Sequence, residues 1–219
     1  MRALRYLRRA HQELARQPSP PGRVGFGPGA RWMHQQLGRL RPPGALPPFD
    51  ARLPYERYGW LKYGLCGLSA ALVAAPLLAA GRWGGLPLAG LAFYLVEIHL
   101  LFVFPLLLDQ HPRPLRQSAR LLHRRIGVGP ALLTVLLIAA HMLLGLLRPR
   151  RPLLHWYAGC LAVLYWYEDV RQTCPGAECG TGPPNALQRS APAVVKNYGW
   201  SVTIPDKHCQ EFRAAGKNS

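Results

Sequence analysis

Long apolar runs separated by short basic links fill the middle of the chain, from Leu61 to Tyr167. A helix needs about 20 consecutive apolar residues to cross a bilayer. The run Leu86 to Leu108, LPLAGLAFYLVEIHLLFVFPLLL, satisfies that requirement, as do runs at about 61–80 and 128–147. A fourth run, LLHWYAGCLAVLYWY from Leu153 to Tyr167, is shorter, at about 22 Å of helix. Trp156 and Tyr157 at one end and Tyr165, Trp166 and Tyr167 at the other resemble two aromatic belts, which favours a full crossing. Snorkelling of Arg151 and Arg171 or local thinning of the bilayer absorbs the mismatch. The pattern predicts an all-α fold: a polytopic membrane protein of about four transmembrane helices, with spans at about 61–80, 86–108, 128–147 and 153–169 in a domain covering 55–170. Gly64, Gly67, Ala71 and Ala75 give the first span a face of small residues suited to close helix contact.

The flanks follow different rules. In residues 1–16 the apolar positions Ala3, Leu4, Leu7, Ala10 and Leu14 recur at helical spacing among five arginines, which predicts a basic amphipathic segment on the membrane surface. Residues 17–54 are rich in Pro, Gly and Arg, a composition that reads as a mostly disordered linker. Between the second and third spans, Leu115, Ala119, Leu122 and Ile126 line one side of a helix over 113–126, while Arg113, Arg116, Arg120 and Arg124 line another. That pattern predicts an interfacial helix whose arginines contact lipid phosphates. Residues 171–219 read as a weakly structured tail with one strand-like patch at Trp200 to Ile204.

Charge sets orientation and partners. A net charge of +17 would suggest nucleic acid in a soluble protein, but here the basic residues flank apolar runs and no nucleic-acid motif appears. The expected partner is a bilayer with anionic headgroups, with a protein partner or a homo-oligomer beside it. The first 60 residues and the 109–127 loop are strongly basic, whereas the link between the first two spans has Arg82 alone. That balance puts both termini in the cytoplasm of a multi-pass plasma or inner-membrane protein, although Arg148, Arg150 and Arg151 count against it. The five cysteines are too scattered for a disulfide framework. Cys174 and Cys179 with His208 and Cys209 lack the spacing of a strong zinc pattern, and neither a metal nor a cofactor is expected.

Candidate chemistry lies in a few polar groups. Glu97 and His99 fall near the middle of the second span, where a charge costs at least roughly 2.5 kcal/mol. They project about 200° apart on a helix, so they face different partners. Tyr94 shares the Glu97 face, and counting depth from the outer ends brings His141 of the third span within reach of Glu97. A Glu97–His141 pair reads as an interhelical polar clamp, and as the relay of a small transporter or channel component in the alternative. Haem ligation by His99 and His141 is disfavoured by a depth difference of roughly 10 Å. Asp109 and His111 close the second span, and Glu168 and Asp169 close the fourth, on one predicted rim. They are the weak catalytic candidates: such groups beside the arginine stripe suit a hard divalent cation and an enzyme acting on lipid phosphates. No G-x-S-x-G, P-loop or repeated Asp motif supports that enzyme, so the leading expectation is a non-enzymatic bundle that interacts with partners or lipids.

Overall fold

A computed structural model describes residues 2–16, 25–147 and 152–173, all within one compact unit, Met1–Gly180. The tail patch and the Cys174–Cys179–His208–Cys209 set lie outside the described residues, as do the basic residues 148–151. The described residues are helical throughout their ordered elements, with no strand among them.

Eight helices follow in order: α1 (Arg2–Arg16), α2 (Phe26–Leu40), α3 (Tyr55–Ala79), α4 (Leu86–Glu97), α5 (Val103–Leu108), α6 (Pro114–Leu121), α7 (Val128–Leu146) and α8 (Pro152–Gln172). Among the described residues, three segments are long and apolar enough to cross a membrane: Tyr55–Ala79, Trp83–Leu108 and Val128–Gly145. Leucines along them face outward, Leu65, Leu68, Leu72, Leu88 and Leu133 among them. An apolar surface of this extent suits acyl chains rather than water.

The α3–α4 pair is an antiparallel hairpin closed by the turn at Gly81, whose positive φ of 68° suits a residue without a side chain. Pro76 falls in the last turn of α3, where its missing N–H leaves the Leu72 carbonyl without its helical partner. The Ser69 hydroxyl donates to the carbonyl of Ala92 across the hairpin at 3.2 Å. A second hairpin joins α7 and α8. Gly145 faces the His155 side chain and Gly159 faces Met142, each so closely that a β-carbon on the glycine would collide. Two glycines therefore set the close approach of α7 and α8.

The core centres on α8. Ala158, Leu161, Ala162, Leu164, Trp166 and Tyr167 are buried beneath α1, α2 and α7, with Phe102 against Trp166 and Tyr167. Aromatic and charged residues at its ends keep α8 out of the three most apolar segments.

Two elements depart from the pattern-based expectation. The 17–54 linker is not simply disordered, because residues 26–40 form α2. Phe26, Ala30, Met33 and Leu37 lie at helical spacing and pack inward, Ala30 and Leu37 fully. High Pro and Gly content around this stretch masks its period. The second span is also not one straight helix. It passes through a 3₁₀ turn at Ile98–Leu100 before α5, whose six residues are all buried. Ser118 of α6 enters this break fully buried, and its hydroxyl oxygen accepts the backbone N–H of Phe102 at 3.1 Å. The loop helix is thus docked through Pro114, Ser118, Leu121 and Leu122, a face rotated from the predicted one. Arg113, Arg116, Arg120 and Arg124 are exposed, on the side away from the core.

Candidate functional site

Among the described residues, three polar clusters sit within this framework, each joining two or more helices. The first lies where α2, α5 and α8 end. Arg41 just follows α2 and is buried. Its guanidinium donates to Asp109 through both terminal nitrogens, at 3.0 Å for the longer contact, and to Glu168 through Nε at 2.8 Å. Tyr167 donates its hydroxyl to Asp109 at 2.6 Å, and Arg171 donates to the other oxygen of Glu168 at 3.1 Å. Burial pulls the Arg41 guanidinium down, but the two carboxylates outweigh it and hold it above its ordinary value. A planar fork serving two carboxylates is the arrangement that suits arginine in an interior.

Of the four predicted rim groups, only Asp109 and Glu168 meet, and a cation already stands between them. Asp169 turns outward and accepts the Tyr6 hydroxyl of α1 at 2.7 Å. His111 stays apart, its Nδ1 3.4 Å from the Arg113 N–H; burial lowers its pKa, against the pull of Asp109.

The second cluster lies inside the bundle. The Lys62 ammonium of α3 sits 3.2 Å from the Glu97 carboxylate at the end of α4, both well buried. The Glu97–His141 pair expected from depth counting is not formed, because Lys62 takes Glu97 and two histidines take His141. Lys62 falls at the very start of the predicted first span, and its burial identifies it as the partner of Glu97. Tyr94 packs edge-on to Phe93. His99 donates from Nδ1 to the carbonyl of Leu95 at 2.8 Å and lies beside His123, with ring centroids 5.2 Å apart, so it shares no ligand with His141.

The Lys62–Glu97 pair forms part of the wall of a cavity of about 700 Å³ between α2, α3, α5, α7 and α8. Phe26, Trp32, Met33, Ile138 and Cys160 supply much of the remaining wall. Phe26 lies flat on Gly59 and stacks with Tyr63 and Phe104 at centroid distances of 5.9 and 6.0 Å. Leu153 and Trp156, both exposed, also line the cavity, so it reaches the surface beside the start of α8. The size falls within the range of small-molecule pockets, and the mostly apolar wall with a few polar groups is their usual character.

No protein-family model matches this chain, and no curated protein or solved structure does. What the site can do therefore rests on its geometry.

The third cluster brings His11 of α1, His141 of α7 and His155 of α8 together. His11 Nε2 and His141 Nε2 are 2.7 Å apart, and His155 Nδ1 is 3.3 Å from the same His141 nitrogen. One nitrogen of each residue lies within 4.8 Å of the other two. All three are half-buried; burial, reinforced by His155, lowers the pKa of His11. Sequence spacing gave no sign of this group, since 130 residues separate His11 from His141.

Proposed function

We propose that the protein is a non-enzymatic integral membrane protein that houses a largely apolar molecule with one polar end inside its helical bundle. One observation carries this reading: a cavity of ligand size has an apolar and aromatic wall interrupted by the Lys62–Glu97 pair. An amphiphile fits that asymmetry, its chain or ring system against Phe26, Met33 and Ile138 and its polar group exchanging hydrogen bonds with the ion pair. Asp109 and Glu168, which a lipid-phosphate enzyme would use to hold a divalent cation, are engaged by Arg41, and this favours binding over catalysis. Glu97 and His141 have separate partners, which weakens a relay between them.

The same proposal takes α8 as a fourth crossing and puts both termini on the cytoplasmic side. Arg41 supports it by joining the ends of α2, α5 and α8 at one level. The four exposed arginines of the α6 region meet anionic headgroups on that side, and the leucine-rich α3–α4 hairpin faces lipid or a second copy.

Extraction of the purified protein tests the reading. In mild detergent, wild type should retain close to one molar equivalent of a specific apolar molecule, identified by native and organic-phase mass spectrometry. Gly29 lines the cavity and opens onto free space, so Gly29→Leu should fill it and cut retention at least about tenfold without touching the charges. Retention of only bulk phospholipid, equal in wild type and Gly29→Leu, would contradict the proposal.

A further inference from the structure

We infer that His11, His141 and His155 form a binding site for a zinc-class divalent transition metal, bound by three imidazoles with a fourth position left open. A tetrahedral ion with Zn–N bonds of about 2.0–2.1 Å needs its nitrogen ligands about 3.3 Å apart. The separations of 2.7 and 3.3 Å about His141 Nε2 lie at or just below that value, and one nitrogen of each residue lies within 4.8 Å of the other two, so side-chain rotations alone would seat an ion. Without metal, one of the facing Nε2 atoms of His11 and His141 donates its proton to the other. Metal binding requires that ring to carry its single proton on Nδ1 instead, the neutral tautomer that leaves both Nε2 lone pairs for the ion.

The donor set selects the metal. Three uncharged nitrogens suit zinc, copper or nickel and offer nothing to calcium or magnesium, which need oxygen ligands. The surroundings reinforce that choice: Arg8 is one turn from His11 on α1, and Arg9 lies over the Tyr165 ring at 4.3 Å. A hard cation held mainly by charge is disfavoured beside these arginines, whereas coordination to imidazole withstands them.

Helix packing prepares the site. His155 rests directly on Gly145, where any β-carbon would push it away from α7 and from His141. α1 then brings His11 over the α7–α8 hairpin, packed through Leu7, Ala10 and Leu14. The half-buried rings leave a route for the ion from solvent. The fourth position takes water or a donor from a bound molecule, as in zinc sites with three protein ligands. The inference is independent of the cavity proposal, since none of the three histidines lines that cavity.

The test uses the full chain without a polyhistidine tag, with Cys174, Cys179 and Cys209 changed to Ser so that tail thiols contribute nothing. After chelation and titration with Zn²⁺ alone, one ion should bind per chain and raise the melting temperature in a concentration-dependent way. Co²⁺ in its place should give the intense visible absorption of a tetrahedral site. His11→Ala should weaken binding at least about a hundredfold, beyond the 10–100-fold cost of losing a supporting partner. His11→Cys should restore binding and add a near-ultraviolet sulfur-to-cobalt charge-transfer band, which marks residue 11 as a ligand. Sub-stoichiometric zinc on folded wild type, or unchanged affinity in His11→Ala, would overturn the inference. So would a His11→Cys protein that binds Co²⁺ without the thiolate band.

Discussion

Lys62 and Arg41 each place a positive charge in the interior, and each is balanced by carboxylates from other helices. Removing one partner of a buried pair leaves the other charged and unsolvated, at a cost of about 3–5 kcal/mol, whereas replacing both is much cheaper. Glu97→Gln should therefore destabilise the protein by about that amount, and adding Lys62→Met should recover most of it. Unfolding by denaturant in detergent measures both, and simple additivity of the two costs would contradict the pairing. Part of this was legible in advance. Glu97 stands out in an apolar run, so a partner had to exist. Its identity was not legible, because Lys62 lies among Tyr58, Trp60 and Tyr63, where a cation reads as an anchor at the headgroups. Arg41 was hidden in the same way, in a proline-rich stretch. The histidine triad was hidden by distance in the chain, since ligand spacing is readable only when ligands share a helix or a loop.

At the scale of elements, the periods that bury one face were legible and the partners of those faces were not. In α1 the inward residues Ala3, Leu7, Ala10 and Leu14 match the helical spacing, while Leu4 is exposed and Tyr6 turns in instead. The helix lies on α8 and α7 rather than alone on a surface. Its contacts run in opposite chain order to those of α8, Tyr6 with Asp169 and His11 with His155, so the two helices are antiparallel. Burial first, then the hydrogen bond to Asp169, holds the Tyr6 phenol above its usual value, against the opposing pull of Arg2 and Arg5. Only the neutral phenol donates to Asp169. A raised folded-state pKa means that this contribution is whole below the unfolded value of about 10 and is lost as pH climbs past it toward the folded value. Tyr6→Phe should cost about 1.5 kcal/mol at neutral pH, the low end for a bond to a charged group because Asp169 is exposed. The alkaline loss of stability above about pH 10 should be shallower in the variant, read by melting curves across pH. An identical alkaline limb in both proteins would exclude Tyr6 from the docking of α1.

At the scale of the whole unit, the three most apolar segments were legible because length and composition decide membrane insertion before tertiary contacts do. The break in the second span was not. Its apolar text continues unchanged through Ile98–Leu100, and the hydroxyl that takes the freed Phe102 N–H, Ser118 of α6, lies 16 residues beyond Phe102. Arrangement across the bilayer is directly measurable. Single cysteines at Ala45 and Trp83, in a background without native thiols, should react with impermeant reagents from opposite sides, Ala45 from the cytoplasm. Labelling of both from the same side would break the up-and-down order of the hairpins.

The outer face of α1 holds a consequence for the lipids themselves. Arg2, Arg5, Arg8 and Arg16 are exposed along a helix about 22 Å long that lies beside α8, while Arg9 reaches back over Tyr165. Acyl chains cannot wet such a flank, because each arginine meets a steep cost in hydrocarbon, and phosphates and water are drawn along it instead. On the leucine-rich side of α3 the leaflet should keep its normal depth. Beside α1 it should thin, and depth-resolved spin labels in nanodiscs would read that local dent as raised water access next to α1 alone.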